Sequence, residues 1–506
     1  MLAIAPRDIV AVMRSCLLAL ALVACSNDSP KETSKPVTGE NVRQSKGAPK
    51  KLPAPDKPLP DLAADTGGAT GKPMWGVGLG GLGSDAPRAI AVDGKGDTVV
   101  VGTFEGEIEL GALGKRTSAG GSDVFVVMLD PQGKPLWAQT YGSKREDTAN
   151  AVTIKGDTIV VCGNFLDDLT IGEFHHKSAG SDDLYVAAFD LKGEPQWVFT
   201  SGGIDSDGAN AIAPTPDGGW IVGGSFKGEA KFGETIFQSK GGTDALLLKI
   251  DKDLTIAWVK QFGGNYSDMV RAVAVDAQGS IYVQGVFAYR ANWGGEDLKA
   301  GGGSDNDIVL AKYDANGEHV WSKRFGGDFN DVAGGIALDP SGHITMTGSF
   351  DRTASFGEGD SHTSKGESDI VVARFTPDGK LEWAKTFGAK REDVGWGIAV
   401  DAAGNSVTTG WFQNTIDFGT GELTSKGNKD VFVLKLDVKG NTLWATSWGD
   451  HDHDQGRGVA LDDKGNATVT GIYRFTLDAV TPPLESRRAP DDKLPQADIF
   501  VIRLER

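Results

Sequence analysis

Aspartate is the recurring residue type in this chain that is best suited to chemistry. One aspartate lies ten residues after each of seven evenly spaced tryptophans: Asp85, Asp147, Asp207, Asp268, Asp331, Asp393 and Asp454. We expect this Asp ring to circle one opening of a repeated structure, because each member precedes a short β-branched run. The favoured interpretation is structural: each carboxylate accepts backbone N–H groups and holds its own loop. The alternative is an opening that binds a cation or a substrate amine, although a ligand rarely needs seven identical contacts.

The position three residues after each of these aspartates varies, whereas its neighbours do not. It is occupied by Arg88, Asn150, Asn210, Arg271, Gly334, Trp396 and Arg457. Guanidinium groups pair with carboxylates in a fork, and an indole stacks on apolar ring faces, so this set suits an anionic or sugar-like group. We therefore predict ligand or partner binding by the side chains at these positions. The alternative is that they are solvated or locally paired.

Other motifs for chemistry are weak. The loop Asp450-His451-Asp452-His453-Asp454 contains residue types that bind metals, and Asp450, His451 and His453 are the candidate ligands. Alternate residues point to the same side only in a strand, so a loop with this spacing does not by itself bring them together. A solvated acidic loop is the favoured interpretation. No phosphate loop, serine elbow, HExxH motif or Cys/His metal spacing is present. We therefore assign no catalytic residue and expect no cofactor, with calcium left open.

The tryptophans themselves define a repeat. Trp75, Trp137, Trp197, Trp258, Trp321, Trp383 and Trp444 are separated by 62, 60, 61, 63, 62 and 61 residues, and a glycine follows each one five residues later. Between them lie runs rich in Val, Ile and Phe that are bounded by Gly, Asp and Asn, which is the pattern of short strands and tight turns. Four strands per repeat, arranged radially, predict an all-β, seven-bladed β-propeller.

The ends of the repeat array predict how the ring closes. An aspartate-led strand lies fourteen residues before six of the tryptophans, and a seventh such strand begins at Asp498 with no tryptophan strand after it. The first tryptophan strand, which contains Trp75, has no such strand before it. We expect the Trp75 strand to join the outer edge of the last blade, which leaves no open edge.

Residues 73–506 resemble a known family on these motifs. The pattern W…GG…D…GIAVD..GN..VTG.F…SDIFV.K.D..G..W is similar to the bacterial seven-bladed β-propeller repeat (SBBP) family. The resemblance implies the propeller fold and an extracytoplasmic location. It supplies no catalytic residues.

The N-terminal region is typical of a lipoprotein. Residues 13–25, MRSCLLALALVAC, resemble a bacterial lipoprotein signal, with Met13 as the expected true start. We assign residues 1–25 to the signal peptide and Cys25 as the expected lipid attachment site. Ser26 follows rather than Asp, which favours the outer membrane of a Gram-negative bacterium. Residues 26–72 are rich in Pro, Lys, Ser and Gly and predict a disordered tether. Outside the signal, Cys162 is alone, so no disulfide is expected.

Charge and composition narrow the function. The chain carries a formal net charge of −18, which argues against binding of nucleic acid and against adsorption to anionic lipid, and leaves the lipid anchor as the membrane contact. We expect a monomeric, non-catalytic binding or scaffold propeller of the cell envelope that binds an envelope protein or a glycan. Two alternatives stay open: a polysaccharide hydrolase or lyase acting at the variable opening, and a cation-dependent adhesin.

Overall fold

The computed structural model describes residues 71–303, 305–487 and 496–506. The expectations for the signal segment, for Cys25 and for residues 26–70 of the tether lie outside the described residues. The described residues fall within one compact unit and are all-β. Among them, the single helical element is a 3₁₀ turn, Gly111–Leu113 (η1).

Four main strands make up each repeat, and we number them first to fourth in chain order. Strand β1 is Pro73–Gly81. Repeat 1 is β2 (Ala86–Val92), β3 (Thr98–Glu109), β4 (Lys115–Leu129) and β5 (Pro135–Tyr141). Repeat 2 is β6 (Thr148–Lys155), β7 (Thr158–Phe165), the short hairpin β8 (Asp168–Ile171) and β9 (Phe174–Lys177), then β10 (Asp183–Asp190) and β11 (Pro195–Gly203). Repeat 3 is β12 (Gly208–Pro214), β13 (Trp220–Phe232), β14 (Thr235–Ile250) and β15 (Ile256–Gly264).

The remaining repeats follow the same plan. Repeat 4 is β16 (Met269–Val275), β17 (Ile281–Ala288), the hairpin β18 (Arg290–Asn292) and β19 (Asp297–Lys299), then β20 (Asn306–Tyr313) and β21 (His319–Gly327). Repeat 5 is β22 (Val332–Leu338), β23 (Ile344–Ser355), β24 (His362–Phe375) and β25 (Leu381–Phe387). Repeat 6 is β26 (Val394–Val400), β27 (Ser406–Phe412), the hairpin β28 (Thr415–Asp417) and β29 (Glu422–Thr424), then β30 (Asp430–Leu436) and β31 (Thr442–Trp448). Repeat 7 is β32 (Gln455–Leu461), β33 (Ala467–Tyr473), the hairpin β34 (Thr476–Leu477) and β35 (Leu484–Glu485), then β36 (Asp498–Leu504).

Antiparallel pairing joins the four strands of each repeat in chain order. In repeat 7 the fourth place is taken by β1, which pairs with β36 so that Trp75 lies opposite Arg503 and Val77 opposite Val501. First strands contact the first strands of neighbouring repeats, and β2 contacts both β6 and β32. Repeat 1 therefore has a repeat packed on each side, one of which is repeat 7.

The hydrophobic core of the described chain consists of seven clusters, each between two neighbouring repeats. Alternate residues of one strand serve different clusters: Val99 and Val101 face repeat 2, whereas Val100 packs with Ile499 and Val501 of repeat 7. Both sides of the second and third strands are thus buried, which explains their nearly continuous runs of apolar residues.

The recurring tryptophan links each repeat to the next. For four tryptophans, the indole N–H donates to a carbonyl in the turn between the third and fourth strands of the following repeat, as from Trp75 to Pro131 at 2.9 Å and from Trp137 to Leu191 at 2.9 Å. In five repeats the same turn contains a glycine against the ring, and a Cβ on Gly133 would lie 2.6 Å from Trp75; repeat 3 has Leu254 at the equivalent place. The recurring tryptophan of one repeat and the Asp-x-x-Gly turn of the next repeat therefore form a single contact.

Replacement of Gly133 by alanine tests this contact. Gly133 and Gly359 have similar positive φ angles, +81° and +75°, but nothing lies within 4 Å of a Cβ at Gly359. Both substitutions place an alanine at a positive φ, and only Gly133→Ala adds overpacking against the indole, which costs about 1–3 kcal/mol. We expect Gly133→Ala to lower the melting temperature clearly more than Gly359→Ala, as measured by calorimetry. Equal shifts would show that the indole does not pack on this turn.

Candidate functional site

Each member of the Asp ring lies in the loop that joins a fourth strand to the first strand of the next repeat. All seven side chains are buried, with at most 2% exposure. In every one, a carboxylate oxygen accepts the backbone N–H four residues earlier, at 2.5–3.0 Å. Each aspartate therefore closes the loop that precedes it.

In four repeats the second carboxylate oxygen accepts a backbone N–H within the second strand of the same repeat or just after it. It accepts the backbone N–H of Leu166, Lys227, Gln413 or Arg474, which is 19 or 20 residues further along the chain, at 2.8–3.3 Å. The equivalent amides in the other three repeats, those of Glu105, Ala288 and Asp351, lower the pKa of their aspartates, but no well-formed hydrogen bond to the second oxygen is made there.

The backbone of the same aspartates ties neighbouring repeats together. Each aspartate N–H donates to a carbonyl within the third strand of the preceding repeat or just before it, at 2.7–3.0 Å, as from Asp147 to Ser122 and from Asp85 to Ala497. One residue thus joins its own loop, the end of the second strand and the previous repeat. The seven carboxylates are directed at backbone groups and away from the opening.

A second row of aspartates lies beside the Asp ring. Its members lie in the third strands, are at most 4% exposed and also accept backbone N–H groups: Asp123, Asp183, Asp244, Asp307, Asp369, Asp430 and Asp498. The glycine five residues after each tryptophan lies against this row, and a Cβ on Gly142 would approach Asp123 to 2.5 Å. This steric conflict explains why a glycine recurs at this position in all seven repeats. The sequence shows the recurrence, but only the structure shows the second carboxylate against it.

Burial raises the pKa of every member of the Asp ring. The pKa reaches about 8 for Asp85, Asp331 and Asp454, about 7 for Asp207, Asp268 and Asp393, and about 6 for Asp147. Loss of hydration is the main cause, and the neighbouring aspartate of the second row adds to it, as Asp498 does for Asp85. The N–H donors act in the opposite direction.

The variable positions converge on one opening, which we call the mouth. Its cavity of about 190 Å³ is lined by Pro87 and by all seven residues that lie three positions beyond the Asp ring, namely Arg88, Asn150, Asn210, Arg271, Gly334, Trp396 and Arg457. Arg88 is exposed and the other six are half-buried. The structure therefore brings together the complete set that the sequence singles out.

Aromatic and cationic groups stack in one part of the mouth. The Trp396 and Trp411 rings lie 5.7 Å apart at 34°, and the Arg457 guanidinium lies 5.1 Å from Trp396 and 5.4 Å from Trp411. Arg271 of repeat 4 approaches Trp396 of repeat 6 to 5.5 Å. Lys429 approaches Trp411 to 5.0 Å. Sequence reasoning missed Trp411 and Lys429, because neither lies at the variable position.

The asparagines of the mouth have a different role. The side-chain N–H of Asn150 donates to the Ala209 carbonyl, and that of Asn210 donates to the Val270 carbonyl, both at 3.0 Å. Each asparagine thus bridges to the first strand of the next repeat. Their role as ligand contacts stays a prediction, whereas the arginines and Trp396 carry the charge and the flat surface of the mouth.

The histidine-containing loop does not assemble a metal centre. Asp450 accepts the N–H groups of Asp452 and Thr476, at 3.3 and 3.1 Å, and His453 contacts Asp452 at 2.6 Å. His451 packs on Phe475 at 4.4 Å. Within the described ranges, no three His, Cys, Asp or Glu side chains are grouped as metal ligands would be. The candidates Asp450, His451 and His453 therefore contact residues of their own loop and the segment that follows β33.

Comparison with known proteins gives distant similarities. No family model matches the chain. It is similar to an uncharacterized WD repeat-containing protein of Acanthamoeba polyphaga mimivirus, with 22% identity over 79% of this chain and 36% of that protein, and to the regulatory protein FlaEY of Caulobacter vibrioides, with 26% identity over 31% of this chain and 17% of that protein. The chain thus spans about a third or less of these relatives.

Solved structures give similarly remote neighbours. The WD40 domain of Pan2 from Neurospora crassa shares 9% identity over 85% of this chain and 97% of that domain, with a TM-score of 0.42. The WD40 β-propeller domain of Doa1 shares 13% identity over 85% and 96%, with a TM-score of 0.41. The chain is all-β with WD40 β-propellers among its neighbours. In the part of the chain that the structure describes, no helix is long and apolar enough to span a membrane.

The raised pKa values predict an unusual pH dependence of stability. The folded state holds protons on the Asp ring more tightly than the unfolded chain, where aspartate titrates near pH 4, about its ordinary pKa. Stabilisation from these groups is complete below that pH and is lost as the pH rises through 6 to 8. We expect the melting temperature to fall between pH 5 and pH 8.5 in scanning calorimetry.

General repulsion among the negative charges would act in the same direction, but salt screens it strongly at the surface and weakly for buried groups. The fall should therefore persist at about 0.5 M salt, where the Debye length is below roughly 8 Å. A melting temperature that rises from pH 5 to pH 8.5 would mean that the buried carboxylates are stabilised as anions.

Proposed function

We propose that this chain is a non-catalytic binding or scaffold protein of the bacterial envelope that holds a ligand at the mouth. The observation that carries the proposal is the convergence of Arg88, Arg271, Trp396 and Arg457 on one cavity. These four residues come from repeats 1, 4, 6 and 7 and differ in type from the residues at the same position of the other repeats. A scaffold alone would not require different side chains in each repeat, whereas recognition of an asymmetric ligand does.

The fold proposed for this protein is a seven-bladed β-propeller closed by the Trp75 strand. The pairing of β1 with β36 supports it, and so does the hydrophobic cluster in which Val100 of repeat 1 packs with Val501 of repeat 7. Arg503 adds a polar link there, because its guanidinium donates to the Gly96 carbonyl of repeat 1 at 3.1 Å. In such a ring the first strands surround a central channel, and the mouth is one end of it.

The chemistry of the mouth favours an anionic group, on a partner larger than the cavity. Three guanidinium groups face it, and no residue lining it is acidic. A guanidinium stacked on an indole is held in place before the ligand arrives, so less conformational freedom is lost on binding. A cavity of about 190 Å³ accommodates one sugar ring or one side chain. We infer that it binds a terminal or projecting residue of an acidic glycan or an envelope protein.

The absence of acidic, hydroxyl and imidazole groups from the lining argues against the hydrolase or lyase alternative. A glycan-cleaving site needs a pair of carboxyl groups or an equivalent acid and base beside the scissile bond. The carboxyl groups with raised pKa, such as Asp331 and Asp454, are buried and accept backbone N–H groups. We therefore propose binding without catalysis.

The location proposed is the outer membrane, through a lipid on Cys25. It is supported by the lipobox Leu22-Val23-Ala24-Cys25 and by the proline- and lysine-rich residues 26–72, which would let the propeller stand away from the lipid. The partner would then be a component of the envelope.

The first experiment tests the mouth. Replacing Arg88, Arg271, Trp396 and Arg457 together with alanine should reduce binding of oligogalacturonate at least tenfold by isothermal titration, because forked ion pairs and a stacking surface are lost. The melting temperature should change little. The matched control replaces Lys95, Gln132, Lys192 and Lys439, which are exposed in the turns at the opposite ends of the strands, and should bind as the parent does. Neutral maltohexaose should bind to none of the proteins at the mouth. Unchanged binding in the fourfold variant would remove the mouth from the proposal.

The second experiment tests the anchor. Cys25→Ala should give an unlipidated protein that leaves the outer-membrane fraction, whereas Cys16→Ala, in the same segment, should be lipidated as before. Mass spectrometry of the purified protein and fractionation of cells provide the measurement. An acylated Cys25→Ala protein would contradict the assignment.

A further inference from the structure

A left-handed backbone position recurs once in every repeat. It lies two residues after the aromatic residue that ends the regular pairing of the second strand, and its φ is between 56° and 68° in all seven repeats: Gly106, Asp167, Gly228, Tyr289, Arg352, Asn414 and Phe475. Glycine, aspartate and asparagine are the residues that adopt this conformation most readily. Four repeats use them, and repeats 4, 5 and 7 carry Tyr, Arg and Phe instead.

Each large side chain at this position stacks on one partner in the loop that precedes its repeat. Tyr289 lies 5.5 Å from Tyr266 at 46°, and the Arg352 guanidinium lies 4.0 Å from the Phe329 ring. In repeat 7 Phe475 contacts His451 in the same way. A tyrosine or an arginine in this conformation is strained, and strain of this kind is concentrated at functional sites. The pairs are therefore expected to serve more than local packing.

Three of the four side chains in the pairs of repeats 4 and 5 are exposed. Tyr266 is 43% exposed and Tyr289 is 49% exposed, so hydrophobic burial does not account for the presence of these rings. Arg352 is also exposed, whereas Phe329 is half-buried. Tyr266 and Tyr289 therefore keep a large part of each ring in contact with water, where a ligand can cover it.

A hydrogen bond joins repeat 4 to the loop that carries Phe329. The Asn306 side-chain N–H donates to the Asn330 side-chain oxygen at 3.1 Å, which links the third strand of repeat 4 to the loop before repeat 5. Asn330 and Asn265 are exposed beside Phe329 and Tyr266. We call the surface formed by Tyr266, Tyr289, Phe329, Asn330 and Arg352 the aromatic platform. None of its residues lines the mouth.

We propose that the aromatic platform binds a neutral polysaccharide. A pyranose ring offers an apolar C–H side that covers an exposed aromatic ring, and its hydroxyl groups bond to amides and guanidinium groups at the edge. A protein partner would instead require a continuous apolar centre within about 1,000 Å² or more of buried surface, whereas here an exposed asparagine adjoins Tyr266 and another adjoins Phe329 in the chain. The exposed Asp328 next to Phe329 disfavours an acidic glycan at this surface.

The test uses the full chain in affinity gel electrophoresis with hydroxyethyl cellulose, xylan and dextran as probes. We expect at least one of the three to retard the protein, and Tyr266→Ala and Tyr289→Gly each to reduce the retardation at least fivefold. Asn414→Gly is the matched control, because it changes the same backbone position in repeat 6 without removing a ring, and it should be retarded as the parent is. Absence of retardation by all three probes would overturn the proposal.

The melting temperature separates a binding role from a structural one. Glycine at position 289 relieves the left-handed strain, so Tyr289→Gly should melt at the same temperature as the parent or higher while binding is lost. A lower melting temperature with unchanged retardation would assign the Tyr266–Tyr289 pair to folding and overturn the proposal. A dimer in sedimentation equilibrium that Tyr266→Ala dissociates would assign the surface to a second copy of the chain, with the same consequence.

Discussion

The buried carboxylate of the Asp ring is the interaction on which the rest of the structure depends. In Asp393, one oxygen accepts the Ala389 N–H at 2.6 Å and the other accepts the Gln413 N–H at 2.8 Å, while its own N–H donates to Ser368 of the preceding repeat at 2.9 Å. One side chain thus satisfies two backbone donors that would otherwise be buried without partners. Its repetition gives every repeat the same geometry where the chain passes from one to the next.

The geometry of the mouth follows from this constraint. Because each member of the Asp ring anchors the start of a first strand, the residue three positions later is carried to the same place in all seven repeats. The side chains there differ from repeat to repeat, and the arginines and Trp396 occupy four of the seven positions. The same logic applies to the left-handed position after the second strand, where backbone geometry is constant and the side chain is not. Both proposed binding surfaces thus use positions whose backbone is held by neighbours.

Much of this could be predicted from sequence because periodic residue types report periodic contacts. The tryptophan steps predict the strand order, and the missing tryptophan after Asp498 predicts the pairing of β1 with β36 that the structure contains. Convergence of Arg88 and Arg457 could also be predicted, since equivalent positions of equivalent strands meet at one end. Trp411, Lys429 and the strained Tyr289 were missed, because they depart from the repeat and only the three-dimensional contacts reveal them. The expectations for Cys25 and the tether concern residues that the structure does not describe.

Hydrogen exchange at the amides held by Asp393 tests the central claim most directly. In the full chain, the amides of Ala389 and Gln413 should exchange as slowly as those of the core strand β30, since both lie in loops and only the Asp393 carboxylate holds them. In Asp393→Ala both should exchange at the rate of exposed turns, while amides around Asp147 keep their protection. Fast exchange of Ala389 and Gln413 in the parent chain, or protection unchanged by the substitution, would contradict the account.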